Sequence, residues 1–317
     1  MSRVLFFFLT ASVAAVMAVG SAQAQLAHRY SFDDLTDSVG NADGTQMGDV
    51  LLSGGSAIIN QLDVARNGRI DLLSSGANGI NINTYTATTI EFWATPECDG
   101  SAACSLAGVN ANNGFSTAVA LGNVYNNVTP PTDGPNGAGA DLILMQTHRG
   151  DNVSRGAIAI TNEATQGAPW GAETGVNGPE FQDGAQHHYA LVIDSNSLSF
   201  YVDGVVQDAN GATAGTPTQI ALANPNSHGL ANFLSGLSND HVWIGTGYTI
   251  DQSWSGSMNE LRIYNKAAAS SYLANSFAAG PDSVPTFIEK VAIPEPASLS
   301  MALLGLLSLV GMCRRSR

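Results

Sequence analysis

The chain has 317 residues, with 12 lysines and arginines against 26 aspartates and glutamates, for a formal charge of −14 at pH 7. Such an acidic polymer repels nucleic acid and anionic membrane surfaces, so phosphate-backbone recognition is excluded as its function. Its 34 glycines, its wealth of Asn, Ser and Thr and its scarcity of lysine describe short strands joined by loops rather than helices.

Residues 1–24 open with one positive charge at Arg3 and an apolar run over 4–19, and end on the small-x-small site Ala22-Gln23-Ala24. This pattern predicts a secretory signal peptide cleaved after Ala24, with a mature chain starting at Gln25 in the periplasm. Residues 25–280 suit one large all-β domain, since no Pro/Ser-rich linker divides them. Within that stretch, 88–95 alternates with Ile90, Phe92 and Ala94 on one face.

Cys98 and Cys104 enclose a small polar loop, which in an oxidising compartment predicts a local disulfide. Two cysteines with no histidine cluster beside them do not make a zinc site. The long insert 110–139 is rich in Gly, Pro and Asn. Residues 186–207 read as paired hairpins, with Tyr189, Leu191 and Ile193 on one face and Leu198, Phe200 and Val202 alternating with polar residues. Asp194-Ser195-Asn196 closes the first hairpin, and Asp203-Gly204 predicts a type I′ turn, whose two central residues need positive φ. A strand over 258–264 places Leu261 and Ile263 on the core face, and a short helix over 267–277 closes the domain.

A spacer over 281–293 then leads to the tail 294–317, where Pro294-Glu295-Pro296 precedes an apolar run over 297–312 and Cys313-Arg314-Arg315-Ser316-Arg317. That order resembles the PEP-CTERM sorting signal of exopolysaccharide-producing Gram-negative bacteria. The resemblance implies cleavage near the triplet by an exosortase-type membrane protease and delivery to the cell surface or extracellular matrix. Sixteen residues at about 1.5 Å rise reach roughly 24 Å, a short transmembrane helix against a core of about 30 Å. The arginines behind it stay cytoplasmic by the positive-inside rule, which leaves the body outside. A plain C-terminal membrane anchor is the alternative. Without the two terminal segments the body carries about −17, which fits calcium-containing settings and neutral glycans, or simple solubility.

The motifs HRYSFDDLTDSVGNADG (28–44), IEFWATPE (90–97), QHHYALVIDSNSLSFYVDGVVQ (186–207) and WSGSMNELRIYNKAAASSYLANSFAAG (254–280) follow one another in an order that resembles the LamG-like family. The resemblance implies a two-sheet antiparallel β-sandwich, the concanavalin A-like jelly roll, whose first and last strands, near Tyr30 and Leu261, are neighbours. That family hosts lectins, adhesion modules and accessory domains of glycosidases. It also implies a possible Ca2+ site from Asp33, Asp34, Asp37, Asn41 and Asp43 with Asn259, which stands where the family usually has Asp. An Asp/Asn/Gly-rich turn capping its own backbone is the competing reading.

Catalysis has little support in the sequence. The E-x-D-x-E strand of laminarinase-type relatives is absent. Glu91 and Glu260 read as lone, solvent-facing acids, and His187 and His188 as structural. His148, His228 and His241 have no neighbouring arrangement that suggests a triad. The expectation is therefore a protein that is not an enzyme but binds glycans, using exposed rings and loop Asn/Asp side chains. Trp170 is the first candidate, or else a cover for an apolar edge, followed by Tyr125, Asn126, Asn127 and Asp133. Trp93, Trp243 and Trp254 read as packing residues. A secreted polysaccharide hydrolase or lyase, and a structural biofilm component, are the alternatives.

Overall fold

The computed structural model describes residues 26–59, 68–96, 116–122, 142–149, 153–159, 173–181, 183–194, 197–207, 220–221, 233–237, 241–247 and 254–290. Sixteen strands among them form two antiparallel sheets. The first sheet runs in the order β13 (Val205–Val206), β12 (Ser197–Val202), β11 (His187–Ile193), β6 (Thr88–Pro96), β16 (Gly256–Tyr264), β4 (Ala57–Ile59) and β3 (Val50–Leu52). β1 (Leu26–Tyr30) pairs with the second half of β16, and β14 (Ile220–Ala221) with β12. The second sheet runs β10 (Glu173–Pro179), β9 (Val153–Ala159), β8 (Leu142–Arg149), β7 (Val119–Gly122), β15 (His241–Ile244), β5 (Arg69–Leu72) and β2 (Gly44–Met47). A 3-10 turn (Ile82–Thr84), α1 (Phe233–Gly236) and α2 (Ser270–Ala279) complete the described elements.

The expected alternation is what seals the sandwich. Ile90, Phe92, Ala94, Tyr189, Leu191, Ile193, Leu198, Phe200, Val202, Leu261 and Ile263 all lie in one buried cluster between the sheets. A side chain at Gly156 would collide with this layer, since a Cβ there would stand 2.6 Å from Phe200 and 2.7 Å from Leu191. Glycine thus lets β9 close on the opposite sheet. Trp254 is fully buried and donates its indole N–H to Thr147 Oγ1 at 2.7 Å, while Trp93 and Trp243 are also buried.

The Asp203-Gly204 turn has φ of 50° and 73°, the left-handed pair that a type I′ hairpin demands. β1 pairs with β16 from Leu26 opposite Tyr264 to Tyr30 opposite Leu261. The end of the domain departs from the sequence reading in two respects. The helix begins at Ser270 rather than Ala267, because Ala269 is extended (φ −72°, ψ 152°), and it ends before Gly280, whose φ of 79° and ψ of 179° favour glycine. The expected spacer is, through Lys290, packed against the sandwich. The N–H of Ala269 donates to Ile288 O, and that of Lys290 to Ala267 O, both at 2.8 Å. Phe287 lies against Tyr264 and Tyr272.

Candidate functional site

Polar side chains gather at three places among the described residues. The first is the turn after β1. Asp37, buried, receives His28 Nδ1 at 2.6 Å and the backbone N–H groups of Arg29, Val39, Gly40 and Ala42 at 2.9 to 3.2 Å. Burial alone would raise its pKa. The bonds from His28, Arg29, Gly40 and Ala42 outweigh that and hold it at about 2. Asp43 accepts from the N–H of Asp37, Asp34 from that of Thr36, and Asp33 from Ser31 Oγ.

These acids therefore cap the turn, and no group of three His, Cys, Asp or Glu side chains among the described residues is placed to hold a metal ion. Of the expected set of Asp33, Asp34, Asp37, Asn41 and Asn259, the three aspartates carry these turn bonds. Asp37 spends both oxygens on the turn, Asn41 is exposed, and Asn259 lies on β16.

The second place corrects the reading of Glu91 and Glu260, which do not face solvent: both are 0% exposed. β16 carries a bulge between Met258 and Glu260, so that Met258 faces Ala94 and Glu260 faces Trp93 with Asn259 left over. The extra residue moves Glu260, Arg262 and Tyr264 onto the outer face of the sheet, beside Glu91.

There Glu91 accepts from Tyr264 OH at 2.9 Å, His188 Nε2 at 3.0 Å, Ser276 Oγ at 3.0 Å and Arg262 Nη1 at 3.2 Å. Glu260 takes both Nε and Nη2 of Arg29 at 2.9 Å and also Arg262 Nε. Arg262 places all five of its N–H groups, the remainder on Ser276 Oγ and the carbonyls of Pro281 and Ser283. Its guanidinium also lies 4.5 Å from the Trp93 ring centre. Burial would raise the Glu91 pKa, but the His188 bond, the charges of His188 and Arg262 and the Tyr264 hydroxyl lower it overall. Burial pushes Tyr272 up to about 12, so it stays a hydroxyl at neutral pH.

The two carboxylates have the residue types of a glycosidase pair, yet each is buried and bonded to neighbouring side chains. Chemically the arrangement can fasten α2 and the segment after it to the sheet. No spacing rule reveals this arrangement in the chain. The available sign was the shared parity of Glu260, Arg262 and Tyr264, with a helix following at once to cover them.

The third place is one end of the sandwich. His187 stacks on Phe181, 3.6 Å between ring centres, and bonds to Asp203 Oδ2 at 2.8 Å and to Asp183 at 3.2 Å. Burial lowers its pKa, but the two aspartates more than reverse this and raise it. His148 pairs with Glu180, the residue before Phe181.

Trp170, Tyr125, Asn126, Asn127 and Asp133, the pair Cys98 and Cys104, and Pro294, Glu295 and Pro296 lie outside the described residues. Comparison with known families bears on the tail. Residues 292–317 match the PEP-CTERM protein-sorting motif. That motif supports export and a cell-surface or extracellular destination.

No curated protein matches the chain. Among solved structures, the Trypanosoma rangeli sialidase in complex with 2,3-difluoro-KDN is similar at 14% identity and a TM-score of 0.50, covering 82% of this chain and 33% of the sialidase. Domain 4 of AbnA, a GH43 extracellular arabinanase from Geobacillus stearothermophilus in complex with arabinotriose, shares 17% identity with a TM-score of 0.49, over 80% of this chain and 98% of that domain. The Ruminococcus gnavus IT-sialidase CBM40 bound to sialyllactose shares 12% with a TM-score of 0.41, over 64% and 89%. At such identities the likeness concerns the β-sandwich fold.

Proposed function

We propose that the protein is a non-catalytic carbohydrate-binding or adhesion module of the cell surface or extracellular matrix, whose tail inserts in the membrane and is then processed by an exosortase-type protease. The observation that carries the reading is the sorting motif over 292–317, downstream of a β-sandwich. The LamG-like order of sequence motifs supports a glycan as ligand. The buried, internally bonded Glu91 and Glu260 support the absence of hydrolysis, since these two acids serve architecture. Trp170, Tyr125, Asn126, Asn127 and Asp133 are the proposed contacts, because rings pack on pyranose faces while amides and carboxylates read hydroxyls.

Affinity electrophoresis of the exported, processed protein through gels of host exopolysaccharide or neutral glucans tests this, run with calcium and again with EDTA. Retardation by one polysaccharide, weakened in Trp170→Ala, is the expected result. Released sugar would replace the reading with a hydrolase or lyase, and unchanged mobility in every gel would replace it with a structural matrix protein. Loss of retardation in EDTA would assign calcium a part.

A further inference from the structure

The segment after α2 determines where the tail leaves the body. Arg262 holds the carbonyls of Pro281 and Ser283, Phe287 packs on Tyr264 and Tyr272, Ala268 and Glu289 form a bridge, and Lys290 Nζ reaches Asp194 Oδ2 at 2.7 Å and Ser197 Oγ at 2.9 Å. The docked chain runs to Lys290. Only residues 291–296 separate it from the apolar run that starts at Ala297. Fully extended, they span roughly 20 Å, whereas a body of this size has a radius of gyration of about 18 Å. A tether no longer than about that radius keeps the side bearing Lys290 towards the membrane.

That side has the composition of an interfacial surface. α2 contains no charged residue. Phe277 is 42% exposed, and Val205, beside the turn whose Gly204 abuts Ala274 and Phe277, is 51% exposed. Val284 and Ile288 on the docked segment are each 41% exposed. The charges around them are largely matched, Lys266 with Glu289 at 3.7 Å and Lys290 with Asp194, leaving exposed Asp282 near Arg29. On a body carrying about −17 this is a nearly neutral, partly apolar face.

We infer that, before processing, the protein rests on the bilayer through the face formed by Phe277, Val205, Val284 and Ile288, with a zwitterionic lipid surface as the partner. The inference depends on the membrane-inserted tail of the proposed function. The full chain in phosphatidylcholine vesicles, carrying the photo-crosslinker benzoylphenylalanine at Phe277, Ile288 or, as a control at the opposite edge of the sheet, Leu51, tests it. Leu51 is the more exposed residue at 59%. Mass spectrometry is expected to find lipid adducts at 277 and 288 in at least fivefold excess over 51, in chains that resist carbonate extraction. Retained chains with equal yields at all three positions, or with adducts to residues 297–312 of the same chain, overturn the resting face while leaving the inserted tail intact. Chains released by carbonate overturn both.

Discussion

β6 and β16 are sealed from water on both faces, by opposite chemistries. Towards the second sheet they present Ile90, Phe92, Ala94, Leu261 and Ile263, and towards α2 they present Glu91, Trp93, Glu260, Arg262 and Tyr264. The apolar face gains from every methylene removed from water and tolerates imprecise partners. The polar face holds only because each carboxylate has its counter-charge and every N–H of Arg262 its acceptor. The first is stable by area, the second by completeness. A sandwich can thus fasten its covering helix with hydrogen bonds without exposing them.

The sharpest way to break that contrast is Arg262→Met. It leaves two buried carboxylates without their shared cation and should cost about 3–5 kcal/mol, read from urea or thermal unfolding. Phe92→Ala, on the other face, should cost a similar amount through the void it leaves. The two losses differ in how they are repaired. Replacing Glu91, Glu260 and Arg262 together by Leu, Leu and Met should recover part of the loss, because the buried carboxylates go with their shared cation and only Arg29, whose side chain is 25% exposed, and His188 lose a partner. A triple variant as weak as the single one would show that charge compensation does not govern this face.

A smaller effect is expected at Asp37, where the same logic of completeness operates in a turn. Asp37→Ala strands several backbone donors and should cost on the order of 2 kcal/mol. Because folding lowers the Asp37 pKa to about 2, its contribution is present above the unfolded value near 4 and disappears as pH falls towards 2. Thermal melts of the native protein should lose stability across that window, and Asp37→Asn should lose less across it.

The smallest effect belongs to His187, whose partners Asp203 and Asp183 are partly in solvent. Folding raises its pKa, so its contribution is complete below the unfolded value near 6.5 and is lost as pH rises through the folded one. A decline of on the order of 0.5 kcal/mol towards pH 8.5, absent in His187→Gln, is expected from melts across that range.

These three sites also mark what could be read in the chain. Period-two alternation revealed the inner face, because Ile90, Phe92, Leu198 and Phe200 repeat without interruption, and Asp203-Gly204 announced its turn, because few other residues accept φ of 50° and 73° in succession. The outer face was assigned to the wrong surroundings. Alternation from Leu261 and Ile263 does turn Glu260 away from the core, as observed, but it does not say that α2 and the segment after it cover that face. The role of Asp37 was hidden for another reason: a carboxylate that caps five donors is identical in sequence to one that waits for calcium. The docking of 281–290 was equally silent, since prolines and small residues mark a spacer until Arg262 and Phe287 show where it binds. The glycan contacts rest on sequence alone.

The pairing of β1 with β16 has a consequence for how the protein is made. Arg29 and Glu260 are 231 residues apart, so the first strand exported has no permanent partner until almost the whole domain has followed it. Contacts this distant in sequence slow folding and prolong the exposure of unpaired strand edges. β1 therefore joins its sheet only after β16 has emerged, a few dozen residues ahead of the sorting motif. Completion of the fold and arrival of the address at the membrane become nearly simultaneous events.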